Sequence, residues 1–328
     1  MRWFCGLLLL VCTVPCAAGE PPPLLQPLPD TSITTTAPPV EPPIPPVEEV
    51  TVEAPEPRYV APTRRDRIGR VWAPVLINGM GPFRLVLDTG ANGSAIIDSV
   101  ATRLGISTLD AKVVNLHGVT GSAMVPAISI DRIEVGDLLL EGKRLPVVAD
   151  VFGGAEGVLG TEGLVDKRIL IDFGNDEISI MRSRKQAVAR GFTAIPLSLG
   201  KDRLLRLEVM IGTVRAKAIL DTGAQLTVGN HALRDLLKRR RASELRSHDI
   251  IGVTLDVARG EVMPVPTMHI GSIQIRNLHL TFGDMFIFKH WKLVREPALL
   301  IGMDIIGSFD VMIIDYKKKE LQIRARKS

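Results

Sequence analysis

Two short runs in this chain are built to bring carboxylates together. Leu85-Val86-Leu87-Asp88-Thr89-Gly90-Ala91 is written a second time as Ala218-Ile219-Leu220-Asp221-Thr222-Gly223-Ala224. A lone Asp followed by Thr-Gly is usually a solvated turn. Here each copy ends a run of apolar, β-favouring residues, so each Asp falls where a buried strand stops and the backbone turns at the glycine. Burying one ionised carboxylate unpaired is costly, whereas two that face each other share a proton and titrate as a coupled pair. One member then takes a proton from water while the other gives one to a carbonyl oxygen. Those two transfers are what amide hydrolysis lacks at neutral pH.

The elements that must position the two runs repeat in the same order, and the repeat is the strongest signal in the sequence. Asp88 and Asp221 are 133 residues apart, Gly118 and Gly252 are 134 apart, and Gly160 and Gly302 are 142 apart. In the first half, Val71 to Ile77 reads as a strand, Asn78 to Pro82 as a turn, and Phe83 to Leu87 as the strand that delivers Asp88. Ala95-Ile96-Ile97 is a short strand, and Asp98 is placed to cap a helix ending at Leu104-Gly105. His117-Gly118-Val119-Thr120-Gly121-Ser122 reads as a glycine-punctuated hairpin tip over the site, with His117 as a hairpin residue. Strands follow from Ala127 to Val135 and from Leu138 to Val148, then Val158-Leu159-Gly160 and a closing hairpin through Ile169 and Glu177. The second half repeats these landmarks as Gly252-Val253-Thr254, Leu300-Ile301-Gly302 and Val311 to Ile323, with Asn230 capping a helix from His231 to about Arg240.

Asp88-Thr89-Gly90-Ala91 and Asp221-Thr222-Gly223-Ala224, with Val158-Leu159-Gly160 and Leu300-Ile301-Gly302, resemble the active-site loops and neighbouring segments of aspartic proteases. The Ala after each Gly and the short halves resemble the retropepsin branch more than the pepsin branch. The resemblance covers about residues 66 to 325. It implies an all-β, bilobal fold: two similar closed, barrel-like lobes with short helices, and a cleft between them. It assigns Asp88 and Asp221 as the catalytic dyad and Thr89 and Thr222 as hydrogen bonders that join the two loops. Gly90 and Gly223 become turn glycines whose N–H groups face the carboxylates, while Ala91, Ala224, Gly160 and Gly302 support the loops. The implied reaction uses no metal, no cofactor and no covalent intermediate, and both halves in one chain imply a monomer. The sequence has neither a His-Glu-x-x-His nor a Gly-x-Ser-x-Gly motif.

The chain also departs from the family pattern. Ala91 and Ala224 stand where many members place Ser or Thr, so no hydroxyl donates to the outer carboxylate oxygens, which raises the pKa and predicts a milder pH optimum than that of pepsin-like enzymes. The only tyrosines, Tyr59 and Tyr316, lie outside both candidate flaps, so two flaps are expected. Phe282, Phe286, Phe288 and Trp291 form a segment the first half lacks. They are expected to line one side of the cleft or to serve as local core.

The 328 residues, 46% hydrophobic and 23% charged, are of ordinary globular composition and sufficient for a two-lobed protein. Residues 1–19, with a basic start, an apolar run and a small-residue exit, read as a secretory signal that addresses the export machinery; an uncleaved anchor or a lipid-modified Cys16 are the alternatives. Cys5, Cys12 and Cys16 all lie there, which leaves the exported part without cysteine and fits a bacterial periplasm or cell envelope. Residues 20–63 hold more than half of the 23 prolines and read as a disordered tether, or alternatively an inhibitory propeptide. Residues 64–185 and 186–328 make the two lobes. The formal net charge is +4; without Arg2 and the acidic tether, residues 64–328 carry about +9, much of it in Lys238-Arg239-Arg240-Arg241 and Lys317-Lys318-Lys319. Aromatics are only 4% of residues and do not interleave with these runs, so a solvated face is expected there and not a nucleic-acid surface. The reading is an exported aspartic endopeptidase acting on a protein or peptide. A non-catalytic peptide-binding module retaining the same cleft is its rival.

Overall fold

The computed structural model describes residues 59–62, 70–136, 138–200, 204–238 and 246–326. The expected signal, most of the Pro-rich stretch, the three cysteines and the Arg239–Arg241 run lie outside these residues. Among the described residues no helix is long and apolar enough to cross a membrane.

The fold is all-β and bilobal. The first half contains β1 (Tyr59–Pro62), β2 (Trp72–Ile77), β3 (Met80–Leu87), β4 (Ala95–Ile97), α1 (Asp98–Arg103), β5 (Lys112–His117), β6 (Ser122–Val135), β7 (Leu138–Val148), β8 (Gly157–Leu159), β9 (Lys167–Asp172) and β10 (Glu177–Arg182). The second contains β11 (Thr193–Pro196), β12 (Ser198–Leu199), β13 (Leu205–Ile211), β14 (Val214–Leu220), β15 (Val228–Gly229), α2 (His231–Lys238), β16 (Arg246–Ile251) and β17 (Val257–Pro264). It continues through β18 (Met268–Ile270), β19 (Ile273–Ile275), β20 (His279–Phe282), α3 (Phe286–His290), β21 (Ala298–Ile301), α4 (Met303–Ile306), β22 (Phe309–Asp315) and β23 (Glu320–Ala325).

Six strands of the first lobe close on themselves in the order β2-β3-β8-β4-β7-β6, because β6 pairs back onto β2 at Leu76–Glu134 and Ile77–Ile133. Closure removes exposed strand edges, and the inward residues Ala73, Val75, Ile77, Phe83, Leu85 and Leu87 are all buried. The second lobe repeats the strand order as β13-β14-β21-β15-β20-β17. There the strand that corresponds to β6 is interrupted after Pro264, and its continuation β18 pairs Met268 with Ile211 of β13.

Several local details differ from the sequence reading. The β2–β3 turn is only Asn78-Gly79, both at positive φ (51° and 76°), which matches the twist of a two-residue hairpin; Met80 already pairs with Ile77. Helix α1 begins on Asp98 with Ile97 as its cap, so Asp98 acts through its charge in the first turn and not as the N-cap. Asn230 does cap α2: its Oδ1 accepts from the Leu233 N–H at 2.9 Å. Tyr59–Pro62, which the sequence reading left inside the tether, pairs as a strand with β10.

The two closing hairpins meet. Ile169, Leu170 and Ile171 of β9 pair with Ile314, Ile313 and Met312 of β22, producing one six-stranded sheet, β1-β10-β9-β22-β23-β11, shared by both lobes. Its two halves are related by an approximate twofold: β1 lies on β10 as β11 lies on β23. Within this sheet the Arg168 Nη1 of one lobe is 3.3 Å from the Asp315 Oδ2 of the other, with Asp315 fully buried. The Ser183 hydroxyl and the Lys318 N–H also donate to Asp315. Removing one partner of a buried pair leaves the other charge uncompensated. Asp315→Ala is therefore expected to cost about 3–5 kcal/mol, measured by denaturant unfolding, with Asp315→Asn costing less because the amide still accepts.

Candidate active site

Each Asp-Thr-Gly loop is held at a strand end by a parallel neighbour. The Asp88 N–H donates to the Leu159 carbonyl at 2.9 Å, where β3 runs parallel to β8. The Asp221 N–H donates to the Ile301 carbonyl at 3.0 Å, where β14 runs parallel to β21. Gly160 and Gly302 follow those neighbours, and their N–H groups donate to Ser94 Oγ (3.1 Å) and Thr227 Oγ1 (3.0 Å). The Ala91 carbonyl accepts from the Thr161 N–H, and that of Ala224 from the Met303 N–H.

Ser94 and Thr227 lead to a clamp that the sequence reading missed. The Ser94 N–H donates to Glu162 Oε1 at 2.7 Å. In the second lobe the Thr227 N–H and hydroxyl donate to Asp304 at 2.9 and 2.6 Å. Burial pushes the carboxyls of Glu162 and Asp304 up from their ordinary values. The signal was available: Ser94 and Thr227 share the 133-residue offset of the aspartates, and each acid stands two residues after its glycine.

The loops grip each other through their threonines, both of which are fully buried. The Thr89 N–H donates to Thr222 Oγ1 and the Thr222 N–H to Thr89 Oγ1, both at 3.1 Å. Each hydroxyl in turn donates to the strand end behind the opposite loop, Thr89 to the Leu220 carbonyl (2.7 Å) and Thr222 to the Leu87 carbonyl (2.5 Å). The grip brings Asp88 and Asp221 within hydrogen-bonding reach of each other. The Gly90 N–H donates to Asp88 Oδ1 at 2.8 Å, and the N–H groups of Gly223 and Ala224 donate to Asp221 Oδ1 at 2.9 and 3.0 Å. A methyl group on Gly90 would overlap the Asp221 carboxylate, and one on Gly223 the Asp88 carboxylate, so no side chain fits at either position. Burial raises the carboxyl pKa of both aspartates. That of Asp221 lies well above the usual range, with the neighbouring Asp88 charge adding to burial. The arrangement retains one proton between two oxygens poised for transfer.

Two hairpins lie against each other beyond the loops. The β5–β6 tip (118–121) and the β16–β17 tip (252–256) interlock closely: a methyl group on Gly118 would touch Val253, and one on Gly252 the Thr120 hydroxyl. The first flap is also docked on α3 of the other lobe. The Ile287 N–H donates to the Val119 carbonyl at 3.1 Å. The His117 ring lies 4.4 Å from that of His290 and stacks on Phe286 at 5.7 Å. Of the four aromatics expected at the cleft or in the local core, Phe286 stacks on His117 of the first flap. Phe282 and Phe288 are core residues at 0% and 2% exposure, and Trp291 packs edge-on against Phe288. The reason is positional: Phe282 ends β20, under Gly229, and Phe288 sits on the inward face of a short helix.

Residues 73–165 match the family model described as "gag-polyprotein putative aspartyl protease". The likeness to aspartyl proteases of this kind therefore covers most of the first lobe. The match runs from β2 to the segment after Gly160 and includes Asp88, Thr89, Gly90 and the first flap. No curated protein matches the chain. For the second lobe the likeness rests on the internal repeat and on the pairings that the two lobes share.

Two predictions follow from this geometry. Thr222→Val removes a hydroxyl that accepts one buried N–H and donates to one buried carbonyl, so a loss of about 2–4 kcal/mol is expected, read as a lower unfolding midpoint; Thr222→Ser retains most of it. The His117 pKa is lowered, by burial first and then by the His290 charge, so the docked flap binds a proton less readily than the undocked one. Docking is accordingly strongest above the His range and weakens as pH falls through it. Hydrogen exchange at the Ile287 amide, corrected for intrinsic rate, is expected to open more at about pH 5.5 than at about pH 7.5, and His290→Ala should reduce that difference in part, since burial is the larger cause.

Proposed function

We propose that this chain is an exported aspartic endopeptidase of the bacterial cell envelope, hydrolysing a protein or peptide with Asp88 and Asp221 as a dyad. The observation that carries this reading is the pair of carboxylates, Asp221 buried and Asp88 partly buried, held within hydrogen-bonding reach by the crossed threonines. The dyad is the shared-proton arrangement long associated with aspartic proteases. One aspartate takes a proton from a water, whose oxygen adds to the peptide carbonyl carbon. The other gives its proton to the carbonyl oxygen. Collapse of the tetrahedral adduct, with a proton delivered to the departing nitrogen, releases an amine and an acid and returns one proton to the pair.

Supporting features extend to the substrate and the compartment. The flaps expose apolar side chains, Val113 and Met124 on the first and Ile251, Leu255 and Val257 on the second, which suits a substrate with apolar residues around the cut. Both lobes in one chain make the site complete in a monomer. Export rests on the basic-then-apolar start of the sequence and its small-residue exit at residues 17–19.

The test is cleavage of a mixed peptide library by the full chain beside Asp88→Asn and Asp221→Asn. Each single variant should fold and lose roughly a thousandfold or more of the activity. Because both pKa values are raised, the window with one proton on the pair shifts toward neutral pH. The kcat/KM profile should therefore peak well above about pH 3. Activity surviving in either variant would break the dyad reading. Peptide bound but never cut would favour the binding module.

A further inference from the structure

The dyad is nearly symmetric in its loops but not in what stands opposite each aspartate. In the first lobe β2 and β3 pair Trp72 with Val86, and the Leu87 N–H donates to the Val71 carbonyl at 2.9 Å. Carried one step further, the register places Arg70 opposite Asp88. In the second lobe Arg206 pairs with Ile219, and the same continuation places Leu204 opposite Asp221. Leu204 is apolar and 2% exposed. Arg70 is a cation and only 6% exposed. Its Nη2 donates to the Phe152 carbonyl at 2.7 Å, and its guanidinium lies 6.0 Å from the centre of the Phe152 ring. A guanidinium remains charged at every working pH, and in a buried setting its field is weakly screened.

We propose that Arg70 is the positioning residue that assigns the two roles: its fixed charge, opposite Asp88 and replaced by Leu204 opposite Asp221, keeps Asp88 as the ionised base and leaves the shared proton on Asp221. The inference rests on the dyad reading given above. In the forward step Asp88 accepts the proton of the attacking water as the O–C bond forms, and Asp221 passes its proton to the carbonyl oxygen, so the pair ends with its one proton on Asp88.

The other groups around the pair agree with this assignment. Asp88 is acted on by Asp221 from the facing loop, by Arg70 from the start of β2, and by the Tyr316 phenol after β22. Burial, with the Asp88 charge adding to it, pushes the Tyr316 phenol far up, so it stays neutral and supplies no competing charge. Position 173 of the first lobe, which corresponds to Tyr316, is Phe and does not titrate. Glu162 and Asp304 bind the loop backbones one layer out and are present in both lobes, so they do not break the symmetry. Burial raises both carboxyls; at Asp88 the Asp221 hydrogen bond, the Gly90 and Ala91 N–H groups and lastly the Arg70 charge favour ionisation, whereas the charge next to Asp221 is that of Asp88 itself, which opposes it.

The test follows the carboxyl carbons by NMR in full-length protein labelled at Asp, assigned with Asp88→Asn and Asp221→Asn. In the wild type the lower titration step is expected at Asp88 and the higher at Asp221. Arg70→Gln keeps a donor for the Phe152 carbonyl but removes the charge. It should raise the lower step by roughly half a pH unit or more. The acid limb of kcat/KM should move with it, about a threefold loss of rate on that limb. Arg70→Lys retains the charge and should keep the wild-type positions, whereas a merely structural role would scale the rate without moving either limb. A lower step at Asp221 in the wild type, or one unmoved in Arg70→Gln, would overturn the assignment. The NMR arm needs no substrate, so a folded chain that titrates as described yet cleaves nothing would sink the protease reading alone. If Arg70→Gln does not fold, the order of the wild-type steps still decides.

Discussion

Two carboxylates that are buried within hydrogen-bonding reach repel each other unless they hold a proton between them, and desolvation makes both charges costly. Everything near the dyad serves to keep this unfavourable pair in place. The carboxylates could relieve their repulsion by moving apart, and the crossed threonine bonds prevent it: each hydroxyl ties the opposite N–H to the opposite carbonyl, so neither loop shifts without breaking buried bonds on both sides. The glycines contribute by what they lack, since each lies where the other loop's carboxylate would meet a side chain.

A grip between loops holds only if the strands behind it are themselves fixed. The closed ring of the first lobe, the matching strand order of the second and the sheet shared between lobes provide that base, and the Arg168–Asp315 pair crosses from one lobe to the other within the shared sheet. The clamp acids, Glu162 and Asp304, continue the same logic outward by tying the exit of each loop to the segment that supports its entry. Rigidity ends at the flaps. There the contacts are hairpin tips, one backbone bond and an aromatic stack, a set that can open without disturbing the rings.

Much of this was legible in the sequence because it is local and repeated. An apolar run ending in Asp-Thr-Gly names a strand and its turn, and the same run at a constant offset names a second lobe and a twofold relation. What was not legible depends on pairing between distant segments. The hairpins at Ile169 and Val311 each look like an independent closing pair, and nothing in either composition says that they join into one sheet. Composition likewise grouped Phe282, Phe286, Phe288 and Trp291, but only the strand end and the helix phase decide that Phe286 meets a flap while Phe282 and Phe288 are core. Arg70 carried no signal at all, since it lies outside both Asp-Thr-Gly runs and its partner position holds Leu.

That last difference bears on why two similar lobes should not be identical. Hydrolysis by a dyad needs an acid and a base at the same moment, and a perfectly symmetric pair offers its proton equally from either side. Half of the encounters would then find the proton on the wrong oxygen for a substrate bound in one direction. An extended peptide has a direction, and the two lobes around the pair of aspartates differ from each other as well. Helix α3 and its contact with the first flap occur on one side only, and the β17–β20 hairpin of the second lobe is broken where the β6–β7 hairpin of the first is continuous. On the proposed reading, the fixed Arg70 charge on one side of the pair gives the chemistry the same polarity as this asymmetric frame.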